Sequence, residues 1–205
     1  LARQPDATAS IAAYGIYYRV MLFAVMPIIA TSVAILPFVA RRFGAGDLPG
    51  IRDAMRQVFR AAVAYCVVLV APAMVLVGPS LARLLSEAET TTGLTLVALY
   101  LTPLACLASI PFFLCRPAFE GLRRGRPGLV VTLLRYVVLT APCAWIGVRA
   151  AEALRQPALY GLLAGLIAAS GLASVFFHAW FDRGLRAIET TGPVSPSPGR
   201  TAPSG

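Results

Sequence analysis

The chain has 205 residues, 58% of them hydrophobic and 13% charged, with a mean hydropathy of +0.75 and a formal net charge of +9. A pI of about 10.1 would suggest nucleic-acid binding in a water-soluble chain, but in one this apolar it reflects basic loops at a membrane surface, and nucleic acid is excluded as a partner. One histidine, His178, and four cysteines without metal-ligand spacing (Cys66, Cys106, Cys115, Cys143) leave no zinc site and no nucleophile–base pair, which excludes the common enzyme classes.

Residues 1–10 form a polar stretch, read as the remnant of an extracytoplasmic loop, because Leu1 is not an initiator and no signal peptide follows. The first apolar span starts near Ser10 and runs to about Arg42, with its least charged part over 20–40. It is longer than a ~30 Å bilayer core needs, so it tilts, bends or protrudes, with Pro27 and Pro37 as bend points. A turn follows at Phe43-Gly44-Ala45-Gly46-Asp47, where Gly44 or Gly46 closes the helix in a left-handed cap and Asp47 starts the next helix ahead of Pro49. That next helix is amphipathic: Ile51, Met55 and Phe59 share a face, and Arg52, Asp53, Arg56 and Arg60 meet headgroups. Further spans cover about 61–82, 90–115, 127–148 and 156–181, and prolines 72, 103, 111 and 142 interrupt their backbone ladders. Residues 182–205 are assigned to a cytoplasmic disordered tail. Residues 11–181 thus form a transmembrane helical lobe.

Orientation follows from arginine. One set of alternate loops holds Arg41, Arg42, Arg52, Arg56, Arg60, Arg123, Arg124, Arg126, Arg183 and Arg186, and the other holds Arg3, Arg83, Arg149 and Arg155. Ten against four places the first set, and the C-terminus, in the cytoplasm. Glu87 and Glu89 then face outward. Tyr14, Tyr17 and Tyr18 fit an outer interfacial belt, and His178, Trp180 and Phe181 an inner one. The complete absence of lysine and asparagine suggests a GC-rich, bacterial source, so the expected location is the inner (plasma) membrane, crossed several times.

The run Pro27-Ile28-Ile29-Ala30, then Ala34 to Asp47 with its Phe43-Gly44-Ala45-Gly46, resembles the multidrug and toxic compound extrusion (MATE) family. Ile11 to Ile16, Phe119-Glu120-Gly121-Leu122-Arg123-Arg124-Gly125-Arg126-Pro127-Gly128, Leu134-Arg135 and Ala141-Pro142 add to the resemblance, in order, over about residues 10–180. It implies an all-α membrane protein in which five transmembrane helices, the family's eighth to twelfth, form an incomplete six-helix lobe of a two-lobed transporter. Its structural motif residues would be Pro27, Pro37, Gly44, Gly46 and Asp47. The resemblance further implies an antiporter exporting small cationic or amphipathic molecules, with the bilayer and a missing N-terminal lobe as partners. No cofactor or metal is expected, only a proton or sodium gradient for the full-length parent. The alternative is a flippase of the same superfamily for lipid-linked oligosaccharide or a peptidoglycan precursor.

The candidate substrate pathway is read from intramembrane charge and aromatics. No Asp or Glu lies within a span, so an ion-coupling carboxylate is not offered by this chain. Arg19 either snorkels beside Tyr18 or faces a cavity; Arg116 reaches the cytoplasmic surface; Arg135, about two turns into its span, needs an internal partner, with Glu120 the nearest acid in sequence. Tyr100, Phe112 and Phe113 would suit a cationic ligand or face lipid. A flippase would favour arginines lining the cleft to pair with a pyrophosphate, so Arg19 and Arg135 both turned inward would shift the balance towards it.

Overall fold

The computed structural model describes residues 7–86, 88–121 and 132–191. Five helices alternate in direction: α1 (Ala7–Gly44), α2 (Leu48–Leu85), α3 (Glu89–Gly121), α4 (132–153) and α5 (Ala158–Thr191). No strand occurs among the described residues. Ala7–Gly44, Leu48–Leu85, Glu89–Gly121 and Ala158–Trp180 are long and apolar enough to cross a membrane. The described part of α4 carries Arg135, Arg149 and Glu152, which dilute its hydropathy, and the start of that span lies outside the described residues.

The hub is α3. Sixteen of its 33 residues are buried, against seven of 38 on α1, because α3 packs on α1, α2 and α5 at once. One apolar cluster joins Val25, Ile28 and Val39 of α1 to Ile51 and Met55 of α2 and Leu99, Ile110 and Leu114 of α3. A second joins Ala13 and Tyr17 to Leu94, Ala98, Leu159 and Leu163. Lipid does not drive apolar helices together, so such bundles rely on close packing and interhelical hydrogen bonds. Such bonds include Tyr65 donating to the Ala24 carbonyl (3.0 Å) and Ser174 donating to the Ala108 carbonyl.

The α4–α5 seam takes packing to its limit. A Cβ on Gly147 would strike the Gly161 carbonyl, one on Gly161 would strike the Gly147 carbonyl, and one on Gly165 would strike the Cys143 carbonyl. Backbone therefore lies on backbone, and only glycine fits at the three positions.

Gly46 decides how α1 stops. Its φ is +73°, its N–H bonds the Phe43 carbonyl (3.1 Å), and the Asp47 N–H bonds the Arg42 carbonyl (3.0 Å). This is the paired-bond cap of a left-handed glycine, so Gly46 and not Gly44 is the closing residue. Asp47 then caps α2, accepting from the Gly50 N–H at 2.8 Å, with Pro49 in the first turn, and pairs with Arg42. These bonds, the Gly50 N–H first and the Arg42 guanidinium second, hold the Asp47 carboxyl below its ordinary value.

Several boundaries differ from the sequence reading. The basic amphipathic helix and the second span are one uninterrupted helix, α2, since Ile51 and Met55 dock on the bundle and give the chain no reason to break. Helix α1 starts at Ala7, inside the expected loop, and α5 runs to Thr191, ten residues into the expected tail; helix ends outside the hydrocarbon can be polar without penalty. Residues 192–205 lie outside the described residues, as do Glu87, Arg123, Arg124 and Arg126. The prolines do not break α1 or α3, which run through Pro27, Pro37, Pro103, Pro111 and Pro117. Near Pro27, Thr31 donates to the Pro27 carbonyl (2.8 Å) and Ser32 to the Ile29 carbonyl (2.6 Å). In α2 and α4, wider π turns form instead, at Cys66–Val70 and Leu134–Thr140, each directly before an Ala-Pro pair.

Candidate functional site

Midway along the bundle, α1, α3, α4 and α5 enclose a pocket of about 230 Å³. From α1 it takes Tyr14, Tyr17, Tyr18, Met21, Leu22, Val25 and Ile29, which recur every three or four residues on one face. Ala105, Ser109 and Phe113 come from α3, Arg135, Tyr136 and Thr140 from the π turn of α4, and Leu166, Ile167 and Ser170 from α5.

Among the described residues, Arg135 is the one charged group on these walls, and it is only 7% exposed. The π turn and the fit of α4 on α5 aim it inward. Its Nη2 donates to Ser170 Oγ at 3.2 Å, and its guanidinium carbon lies 3.9 Å from the Phe112 ring centre and 5.6 Å from that of Tyr136. Phe112 and Tyr136 stand edge to face, 6.1 Å apart. The Thr140 hydroxyl donates to the Arg135 carbonyl (2.7 Å), steadying the widened turn. Nη1 is buried and has no hydrogen-bond partner among the described residues. A hydroxyl and an aromatic face cover part of the cost of burying a guanidinium, but neither neutralises it.

The candidates named from sequence divide clearly. Tyr18, Phe113 and Arg135 line the pocket, and Phe112 supports Arg135 from below. Arg19 is exposed and off the pocket walls, so it joins no inward arginine pair. Tyr100 faces α2: a Cβ on Gly78 would lie 3.7 Å from its ring, and it is 44% exposed. Glu120 does not reach Arg135; it pairs with Arg116 at 3.3 Å, one helical turn away on the exposed face. Tyr17 is no interfacial anchor, being 3% exposed, with its hydroxyl directed at Met21 Sδ (3.4 Å). His178 stacks edge-on with Phe59 at 5.6 Å, and Trp180 with Phe119 at 6.2 Å, ties between α5 and its neighbours. Cys66, Cys106 and Cys115 are buried and unbridged, in keeping with small apolar core residues. Sequence reading missed Ser170 and Thr140 as site residues. The signal for Ser170 was a hydroxyl one turn beyond Leu166, one of two serines at helical spacing (with Ser174) in a largely apolar span.

Residues 7–146 match the MatE family, more than half of the chain. The chain belongs to the MATE family. Members of this family are transporters, not enzymes, and the MATE chain described here is a multi-pass membrane protein. Its fold is similar to that of an outward-facing multidrug resistance MATE transporter of the MOP superfamily (TM-score 0.80, 19% identity, 90% of this chain and 40% of that one). It is similarly close to the Vibrio cholerae MATE transporter VcmN in its bent form (TM-score 0.78, 21% identity, 87% and 39%). A third likeness is to a MOP superfamily transporter from Pyrococcus furiosus whose pocket is described as having reverse polarity (TM-score 0.80, 18% identity, 90% and 40%). The MATE chain thus spans about two-fifths of the length of the solved transporters it resembles. No curated protein matches it.

Proposed function

We propose that the chain is part of the second lobe, five of its six helices, of a secondary transporter that exports organic cations or amphipathic molecules by alternating access, coupled to a proton or sodium gradient through residues of a first lobe. The observation that supports this most is the pocket at mid-bundle, a largely apolar chamber with a few convergent polar groups, the lining that a site for an amphipathic molecule needs. The lobe's cytoplasmic side carries the Arg-rich connections and the C-terminus, in the inner membrane of a bacterium. A cationic substrate would call for aromatic rings gathered around one charge, whereas Tyr100 faces α2 and the Phe112 face is taken by Arg135. For the flippase reading, Arg135 speaks in favour and the exposed Arg19 against.

Accumulation of a lipophilic fluorescent dye in efflux-deficient cells tests the reading. Cells carrying the chain with its partner lobe should accumulate less dye than cells carrying the chain alone, and a protonophore or sodium ionophore should remove the difference. Unchanged accumulation, with rescue of a strain lacking its lipid-linked sugar flippase, would move the assignment to the flippase. Topology is checked separately in a cysteine-free background. Glu87→Cys should react with an impermeant thiol reagent from outside and Arg124→Cys should not; the reverse pattern would invert the lobe.

A further inference from the structure

Among the described residues, the pocket has a charge and no counter-charge. None of its lining residues is acidic, and the nearest described acid to Arg135 in sequence, Glu120, is engaged by Arg116 on another surface. Two features hold the guanidinium in place, the Ser170 hydroxyl on Nη2 and the Phe112 ring beneath its plane. What remains is Nη1, buried and without a hydrogen-bond partner among the described residues, beside a wall that also carries the rings of Tyr14, Tyr18 and Tyr136. Leaving a buried cationic donor unmet is costly, whereas an anionic acceptor there gains a charge-assisted hydrogen bond in a low-dielectric surrounding. The rest of the wall, from Met21, Leu22, Val25, Ile29, Leu166 and Ile167, offers only hydrocarbon.

We infer that this pocket binds the anionic head of an amphipathic molecule, a carboxylate or a phosphate monoester, on Arg135, with the apolar body lying along α1 and α5. This deepens the transporter reading by naming the substrate's charge, but it is a statement about equilibrium binding and is testable without transport. Ser170 acts as a positioning residue that fixes which face of the guanidinium is presented.

The test uses the full chain in phosphatidylcholine nanodiscs, titrated with a dansyl-labelled long-chain carboxylic acid, its phosphate analogue, its methyl ester and its amine. The acid, the phosphate or both should bind at least about tenfold tighter than the ester and the amine. Whichever anion binds tighter shows whether the natural head is carboxylate or phosphate, and either result supports the site. Arg135→Gln should abolish the preference, and Arg149→Gln, which alters an exposed arginine paired with Glu152, should leave it intact. Equal or tighter binding of the ester or amine would overturn the inference. So would a preference that survives Arg135→Gln, or one lost equally in Arg149→Gln, which would mean general attraction to a chain of charge +9. If Arg135→Gln does not fold, the wild-type ranking still decides, together with photo-crosslinking of a diazirine-bearing acid. Crosslinks on Tyr14–Tyr18 or Arg135–Thr140 support the site, and crosslinks only elsewhere overturn it. Failure of anion binding leaves the efflux assay unaffected, and failed efflux with selective binding leaves this inference standing.

Discussion

Helices α2 and α4 carry the same backbone device and use it differently. In each, a π turn precedes an Ala-Pro pair: Cys66–Val70 before Ala71-Pro72, and Leu134–Thr140 before Ala141-Pro142. In both, an inward residue opens the turn and exposed ones follow it: Val67, Val68 and Leu69 after Cys66 in α2, where Val70 is buried again, and Val137 and Val138 after Arg135 in α4, where the half-open Tyr136 still lines the pocket. The inward residue of α2 is Cys66, fully buried against Cys106 of α3, and the turn is simply packed. In α4 it is Arg135, and the same extra residue delivers a guanidinium to a pocket. Proline chemistry creates the widened turn, and the residue it happens to carry inward decides whether the turn is structural or functional. The two helices are also held differently, α2 by side chains such as Ile51 and Met55, and α4 by glycine contacts with α5.

That contrast breaks most easily at the seam. Gly161→Leu should prevent α4 from seating on α5, costing more than about 4 kcal/mol or leaving no folded protein by detergent-solubilised thermal unfolding. Gly15→Leu should be nearly silent, because a Cβ there meets nothing within 4 Å. Second in size is Arg135→Ala, which should lower transport by the complete transporter roughly tenfold to a hundredfold at equal membrane abundance. Arg124→Ala, in a connection of the same sign, should not; equal transport by the two variants would make Arg135 another anchor. Third, Pro142→Ala permits an ordinary α turn, and removing the extra residue would rotate Arg135 by about 100° relative to the rest of α4. Pro72→Ala would do the same to Cys66, where little is at stake. Ligand binding should therefore fall for the first and hold for the second, with similar melting temperatures for both.

The smallest effect concerns the start of α2. Asp47→Asn should lower thermal stability slightly, since an amide still caps the Gly50 N–H but loses the Arg42 pair. Because the Asp47 carboxyl is held below its ordinary value of 3.8, its contribution is present above that pH and is lost as pH falls through the lower folded value. Wild type should thus keep its small advantage over Asp47→Asn down to pH 3.8 and lose it in melts taken progressively below that. No pH-dependent difference between the two would mean that the cap does not distinguish the charged form.

The sequence by itself determined the class of this protein. Apolar runs as long as a bilayer is thick admit only helices, and Gly46 and Asp47 announce the α1–α2 turn because each meets a local backbone demand, while the arginine count supports a proposed orientation. The helical phase of Tyr14, Tyr18, Met21 and Val25 was also there to read, but an all-apolar helix does not reveal which face meets a neighbour and which meets lipid. Only the tertiary structure decided that. It put Tyr17 in the core, Tyr100 against α2 and Arg19 outside, joined Arg135 to Ser170 across 35 residues, and pressed Gly147 onto Gly161. In a membrane the sequence pattern that normally separates core from surface is erased, since both are apolar, and the pocket exists only where four helices converge.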